Sequence, residues 1–386
     1  MKASVDAASP AAAAAWDPLA GRSLGPALDG ARLAEGWTRR DTLSGRLLLR
    51  ALQEMGAFTE AGEERRSATL TDDLGVAPAH RSLWDALLEI LVAAGHLERD
   101  GDTVRATGIV RDLAGRDLTA ESAELVAAYP EVAAQVELTR ICLGEYPRLL
   151  RGETKPISVL FPGWSMEKVE RVYRGDPVSD RLNELVAQAV AAHVDAGAGP
   201  APRRILEVGA GTGGTTAELL SAVPPEAGRL HYVYSDISAS FLRYGRQQFG
   251  ATGPGMEFRL LDIEGDLAAQ GCEDGEFDVV VAANVLHATR ELRPTLANVR
   301  RLLRPGGRLV LREITSPLVF TTLTFGLLEG WWRTEDADTR IPRTPLADRA
   351  TWAALLAEVG FGRVAVLAPA ETGQDVLGQH VIVAEN

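Results

Sequence analysis

The chain has 386 residues, long enough for two or three domains with full hydrophobic cores. Hydrophobic residues make up 46% and charged residues 24%, an ordinary composition for a protein folded in water. Its 53 acidic and 40 basic residues give a net charge of -13, which disfavours a broad nucleic-acid or anionic-membrane surface but allows a local basic patch.

Cys142 and Cys272 are the two cysteines, and no C-x-x-C occurs. A structural zinc site and a disulfide framework are therefore not expected, and a reducing, cytoplasmic setting fits. No apolar run approaches the roughly 20 residues of a membrane span. The Ala-rich start, "SPAAAAAWDPLA", carries Asp6 and Asp17 and lacks a basic head before a Leu-rich stretch. Residues 1–25 read as a flexible tail, not a signal peptide.

Residues 26–175 read as a mainly helical lid domain. In its clearest piece Leu83, Leu87 and Leu91 share one helix face, with Trp84 and Leu88 beside them. Ser82 is the expected N-cap and Gly95 the expected stop. "HLERDGDTVRA" alternates around Asp-Gly and predicts a short hairpin. Helix followed by hairpin makes a winged-helix-like piece. Its acidic tip would repel phosphates, so packing is the better reading than DNA binding. The Gly/Pro/Ala-rich "HVDAGAGPAPRR" predicts a linker.

From residue 204 strands alternate with helices. "RILEVG", "LHYVYSDIS", "MEFRLLDI", "FDVVVAANVLH", "GRLVLREI", "RVAVLAP" and "HVIVAE" are strands. "TTAELLSAV", "SFLRYGRQQF" and "LRPTLANVRRLL" are helices, the last closed by "RPGG". This pattern predicts an α/β fold over residues 176–386, a doubly wound parallel sheet with helices on both faces.

"ILEVGAGTGGTT" joins the first strand to its helix, and Gly209, Gly211 and Gly214 satisfy G-x-G-x-x-G. Alone this is a weak signal that backbone approaches a ligand at the carboxyl edge of the sheet. Glu207 ends the first strand, where a carboxylate disfavours a pyrophosphate but suits the ammonium of S-adenosylmethionine. Asp236 ends the second strand, placed to accept hydrogen bonds from ribose hydroxyls. Asp262 ends the third, placed for the adenine amino group, with Ile263 to cover the ring. Thr212 and Ile237 adjoin these positions and, with Asn284 in "ANVLHAT", complete the expected cofactor contacts. The ordered set favours S-adenosylmethionine over a dinucleotide. No metal is called for.

Methyl transfer requires the acceptor and methyl in line, and removal of the acceptor's proton. Of six histidines only His287, in "ANVLHAT", sits at the carboxyl end of a central strand. Glu313, in "LVLREIT", ends the next strand. In a doubly wound sheet the two emerge on one edge, where a carboxylate can fix the imidazole tautomer. "PLVFTTLTFGLLEGWWR" follows, with Trp331 and Trp332 adjacent, and is either an acceptor cover or a core helix.

These segments resemble the methyltransferase domains of polyketide synthases, particularly the C-methylating ones. The resemblance runs from about residue 40 to the end and includes "YPRLLRGETKPISVLFPGWS", "VYRGDPVSDRLNEL", "NVLHAT", "REIT" and "FGLLEGWW". It implies a seven-stranded Rossmann-like core, mostly parallel with an antiparallel last strand, behind a helical lid. It also implies S-adenosylmethionine as cofactor, with S-adenosylhomocysteine as product. The implied acceptor is a β-ketoacyl thioester on the phosphopantetheine arm of an acyl carrier protein, with His287 as base and Glu313 supporting it. Tyr173 and Asn183 match lid positions near the acceptor, where Leu182 departs from an aromatic common in relatives. No carrier-protein or ketosynthase motif occurs, so the carrier is expected from elsewhere. Arg300, Arg301 and Arg304 offer a docking patch or a solvated helix face. O-methylation of a hydroxyl, and a non-catalytic docking module, are the alternatives.

Overall fold

The computed structural model describes residues 16–196, 202–224, 230–253, 255–367 and 377–386. The first 15 residues of the expected tail, the middle of the expected linker and the end of "RVAVLAP" lie outside them.

Ten strands are present among the described residues: β1 Glu64–Arg66, β2 Leu97–Asp100, β3 Thr103–Ala106, β4 Arg203–Val208, β5 Leu230–Asp236, β6 Met256–Leu260, β7 Phe277–Ala283, β8 Leu303–Ile314, β9 Arg363–Leu367 and β10 Gln379–Glu385. The last seven form one sheet in the order β6-β5-β4-β7-β8-β10-β9. Strands β4 to β8 pair parallel, and β10 runs antiparallel to both its neighbours. Parallel strands covered on both faces need near-continuous apolar runs, which "ILEV" and "FDVVVAA" supply apart from Glu207 and Asp278.

Successive residues of each strand enter different cores. Ile205, Val279, Val281 and Val310 join one apolar cluster. Leu206, Val280, Ala282 and Leu309 join the other, beneath the helices Leu292–Leu302 and Arg349–Glu358. The first cluster runs on without a break into the front half, through Val186 and Val190 of the helix Pro177–Ala196 to Leu48 and Leu52 of Gly30–Glu54.

In the front half the hairpin β2–β3 forms at the expected place. β1 joins it as a third strand with no sequence signal, because Glu-Arg-Arg carries no apolar alternation. The helix Arg81–Ala93 buries Leu83, Trp84, Leu87, Leu88 and Leu91 completely. Its N-cap position is His80, so Ser82 lies within the first turn. The helix packs these side chains into the interior. The helix Leu292–Leu302 ends just before "RPGG", and although β8 begins at Leu303 its pairing with β7 passes from Leu303 to Arg308, so residues 304–307 bulge out of the ladder. Cys142 and Cys272 are buried free thiols, and burial pushes the Cys142 thiol up to about 12. No described helix is long and apolar enough to cross a membrane.

Candidate active site

The glycine loop leaves β4 with Gly209, Gly211 and Gly213 at φ 64°, 57° and 75°, a region that favours glycine. A Cβ on Gly209 would stand 2.6 Å from Val285, and one on Gly214 2.8 Å from the Tyr173 carbonyl. At Gly209 and Gly214 the loop is therefore pressed between the β7 end and Tyr173 and leaves no room for a side chain. Asp236 anchors it from β5: its Oδ2 accepts from Gly211 N–H at 3.0 Å and its Oδ1 from Ser238 N–H at 2.7 Å. Burial pushes the Asp236 carboxyl above the usual range, and those two donors oppose the shift.

Ile237, beside Asp236, is 65% exposed, an apolar side chain uncovered at the crevice. Asp262 is half-buried, with Oδ1 accepting from Glu264 N–H at 3.0 Å. Asn284 takes φ 55° just past β7, and its buried amide oxygen has no partner among the described residues. A backbone cradle, a carboxylate at the end of β5, an open apolar face and an unsatisfied buried acceptor fit an adenosyl group carrying an ammonium. Thr212 is buried in the loop.

Two residues sit differently from the sequence expectation. Ile263 packs into the cluster under Leu292–Leu302, while its carbonyl accepts from the Asn298 amide at 2.8 Å. Glu207 is 1% exposed and turned inward, where its Oε2 accepts from the hydroxyls of Thr216 and Tyr232. Burial pushes its carboxyl up to about 7, against the pull of the two hydroxyls.

At the neighbouring strand ends His287 and Glu313 meet. The imidazole Nδ1 and Glu313 Oε2 are 2.6 Å apart, and both side chains are buried. Glu313 Oε1 accepts from Leu286 N–H at 3.0 Å, so the acid grips both the ring and the backbone carrying it. The β7–β8 pairing, with Ala283 opposite Arg312, produces this meeting. Trp331 packs on the His287 ring edge-on at 5.6 Å between centroids. Trp332 is partly buried and donates its indole N–H to the Gly326 carbonyl at 2.7 Å.

Tyr173 reaches the same region from the front half and packs its ring, tilted, on Phe325 at 5.9 Å between centroids. Burial pushes its phenol up to about 12. Asn183 bonds through both ends of its amide: the N–H₂ donates to the Tyr173 carbonyl at 3.0 Å, and the oxygen accepts from Thr215 at 2.9 Å and Arg312 at 2.7 Å. It links Tyr173 and Arg312 to Thr215, at the start of the helix after the glycine loop.

Arg312 was not anticipated. It is 2% exposed, donates to Ser179 and Asn183, and lines a cavity of about 30 Å³ with Arg40, Gln135, Tyr173 and Asn284. Burial pushes it down to about 10, still protonated at neutral pH. A charged residue at the end of an apolar strand was its only sequence signal. The three arginines of the candidate docking patch are already engaged. Arg300 donates to Asn386 at 2.9 Å, Arg301 to Asp274 at 2.9 Å, and Arg304 pairs with Asp278.

Residues 206–309 match the family described as a methyltransferase domain. The polyketide synthases ThaQ of Burkholderia thailandensis and PksM of Bacillus subtilis are 37% and 35% identical over 90% and 77% of this chain. Among solved structures, DszA carbon methyltransferase is 40% identical, with TM-score 0.87, covering 96% of this chain and 95% of its own. CurJ carbon methyltransferase is 34% identical, with TM-score 0.86, covering 93% and 94%. The chain belongs to the carbon methyltransferases of polyketide synthases. As a polyketide-synthase carbon methyltransferase it uses S-adenosylmethionine. A 26% identical relative, the trans-methyltransferase CalH, was solved as a complex with SAH at TM-score 0.66. The carbon methyltransferase spans 17% of ThaQ and 7% of PksM.

Proposed function

We propose that this carbon methyltransferase methylates the α-carbon of a β-ketoacyl thioester held on an acyl carrier protein, with His287 as base and Glu313 as its partner. The observation that carries this is the buried 2.6 Å contact between His287 Nδ1 and Glu313 Oε2. Nδ1–H donates to the carboxylate, which leaves the Nε2 lone pair free to accept a proton. A hydrogen between two carbonyls is acidic enough for a neutral imidazole to remove. The proton passes to Nε2, the electron pair stays on the acceptor as an enolate, and its carbon would bond the methyl as the methyl–sulfur bond breaks, the sulfur keeping that electron pair and leaving as S-adenosylhomocysteine. Glu313 then faces an imidazolium and stabilises it.

S-adenosylmethionine, when bound, supplies a methyl group activated by a sulfonium. Gly209, Gly211 and Thr212 would cradle it, Asp236 would take the ribose, Ile237 and Asp262 the adenine, and Asn284 the ammonium. Residues 26–175 act as a lid on a core of residues 176–386. The lid contributes Arg40, Gln135 and Tyr173 to the cavity that Asn284 and Arg312 line from the sheet. Trp331 shields the imidazole from water.

Incubation with S-adenosylmethionine and acetoacetyl carrier protein tests the reading. Mass spectrometry is expected to show one added methyl, and NMR to place it on the carbon between the carbonyls. No mass gain across several acyl lengths would contradict it.

A further inference from the structure

The loop carrying His287 is short, and its internal hydrogen bonds, from Ala288 N–H to Val285 and from Thr289 to Leu286, close the turn without fixing it to the sheet. It is a single 3-10 turn, Leu286–Ala288, entered through Asn284 at φ 55°. Glu313 fixes it from inside the site. A second charged pair fixes it from outside, on the segment 333–348 that follows the tryptophans.

Arg340 is 7% exposed, and every nitrogen of its guanidinium donates. Nη1 donates to the His287 carbonyl at 2.8 Å and to the Pro345 carbonyl at 2.6 Å. Nη2 donates to the Thr289 carbonyl at 2.9 Å, and Nε to Asp336 Oδ1 at 2.6 Å. Asp336 is 8% exposed, and its Oδ2 accepts from Leu292 N–H at 2.7 Å and from the Thr339 hydroxyl at 3.0 Å. One buried ion pair thus holds the carbonyl of the base, the carbonyl two residues on, and the start of the next helix. Its planar fork reaches carbonyls in fixed directions, which a lysine cannot reproduce.

We propose that Arg340 is a positioning residue: through the His287 and Thr289 carbonyls it sets the imidazole against Glu313, and Asp336 sets Arg340. The inference rests on the reading of His287 as base. The peptide of His287 is clamped between a carboxylate that takes the ring and a guanidinium that takes the carbonyl. With the outer contact removed, the turn can rotate about Asn284 and carry the ring off its partner. A misplacement of about 1 Å can cost on the order of 100-fold in rate.

The test uses the full chain with Arg340→Met, Arg340→Lys and Asp336→Asn. Arg343→Gln is the control, since Arg343 lies on the same segment but pairs at the surface with Glu89 at 2.5 Å. Three quantities are read: kcat and KM for acetoacetyl carrier protein, calorimetric S-adenosylmethionine affinity, and the downfield proton resonance of the His287–Glu313 hydrogen bond. Arg340→Met is expected to lower kcat by about 10- to 100-fold with KM and cofactor affinity within about twofold, and to shift or broaden that resonance. Arg340→Lys recovers part of the rate, Asp336→Asn shows a smaller loss of the same kind, and Arg343→Gln matches wild type.

Unchanged kcat and resonance in folded Arg340→Met would overturn the proposal. So would equal losses of rate and cofactor affinity, which would mark a purely structural role. Should Arg340→Met not fold, unchanged kcat and resonance in Arg340→Lys and Asp336→Asn overturn it equally. The resonance needs no acceptor. A wild-type chain without methyl transfer, whose resonance still responds to Arg340, would refute the acceptor reading and leave the positioning intact.

Discussion

Two glutamates at strand ends, Glu207 on β4 and Glu313 on β8, are equally buried and do different things. Glu207 meets two hydroxyls, and without a cationic partner its carboxyl is pushed up to about 7 by burial. Glu313 meets an imidazole and a backbone N–H, each on its own oxygen. Burial alone therefore does not mark a functional acid. The partner decides whether a carboxyl braces a loop or orients a base.

The largest expected effect on activity is at the Glu313 end. His287→Ala should lower turnover by roughly 10²- to 10⁴-fold, the usual worth of a positioned base, with calorimetric S-adenosylmethionine affinity nearly unchanged. Loss of that affinity would make His287 a cofactor contact instead. Glu313→Gln should cost on the order of 100-fold in kcat, because the amide keeps the shape but not the charge that balances an imidazolium. Near-wild-type turnover would remove the distinction between the two glutamates.

The loop above Glu207 should respond through binding. Gly209→Ala introduces a Cβ at φ 64° within 2.6 Å of Val285. Backbone strain of about 1–3 kcal/mol should weaken cofactor affinity about 10- to 100-fold, read by calorimetry.

Glu207→Gln should be mildest on activity, within a few-fold, and should act on stability. The folded carboxyl titrates near 7 against an ordinary 4.5, so the folded chain keeps a proton that the unfolded chain has lost. That stabilisation is complete below the ordinary value and disappears as pH rises through about 7, a change on the order of 3 kcal/mol. Urea unfolding at pH 5 and pH 8 should show the component in wild type and not in Glu207→Gln. Abolished cofactor binding in that variant would instead make Glu207 a direct contact.

The sheet and the dyad were legible because both follow from short-range pattern. Apolar runs ending in Glu207, Asp236 and His287 mark strands, and consecutive parallel strands put their ends on one edge. What escaped depends on long-range contact. Glu64–Arg66 is a strand only because Thr103–Arg105 lies beside it. Ile263 sits one residue past a strand-end acid, as Ile237 does, yet one is buried and the other open. The contacts of Asn183 with Tyr173, Thr215 and Arg312 join residues far apart in sequence, which no local pattern marks. Asp336 and Arg340 show the i, i+4 spacing of an ion pair, but nothing in it revealed the His287 carbonyl above them.

Proton exchange tests the central claim most directly, since it reports the base before any methyl moves. With S-adenosylhomocysteine and acetoacetyl carrier protein in deuterated water, wild type should wash deuterium into the carbon between the carbonyls well above the uncatalysed rate. His287→Ala should fall to that background. Exchange that survives in His287→Ala would contradict the assignment of the imidazole as base.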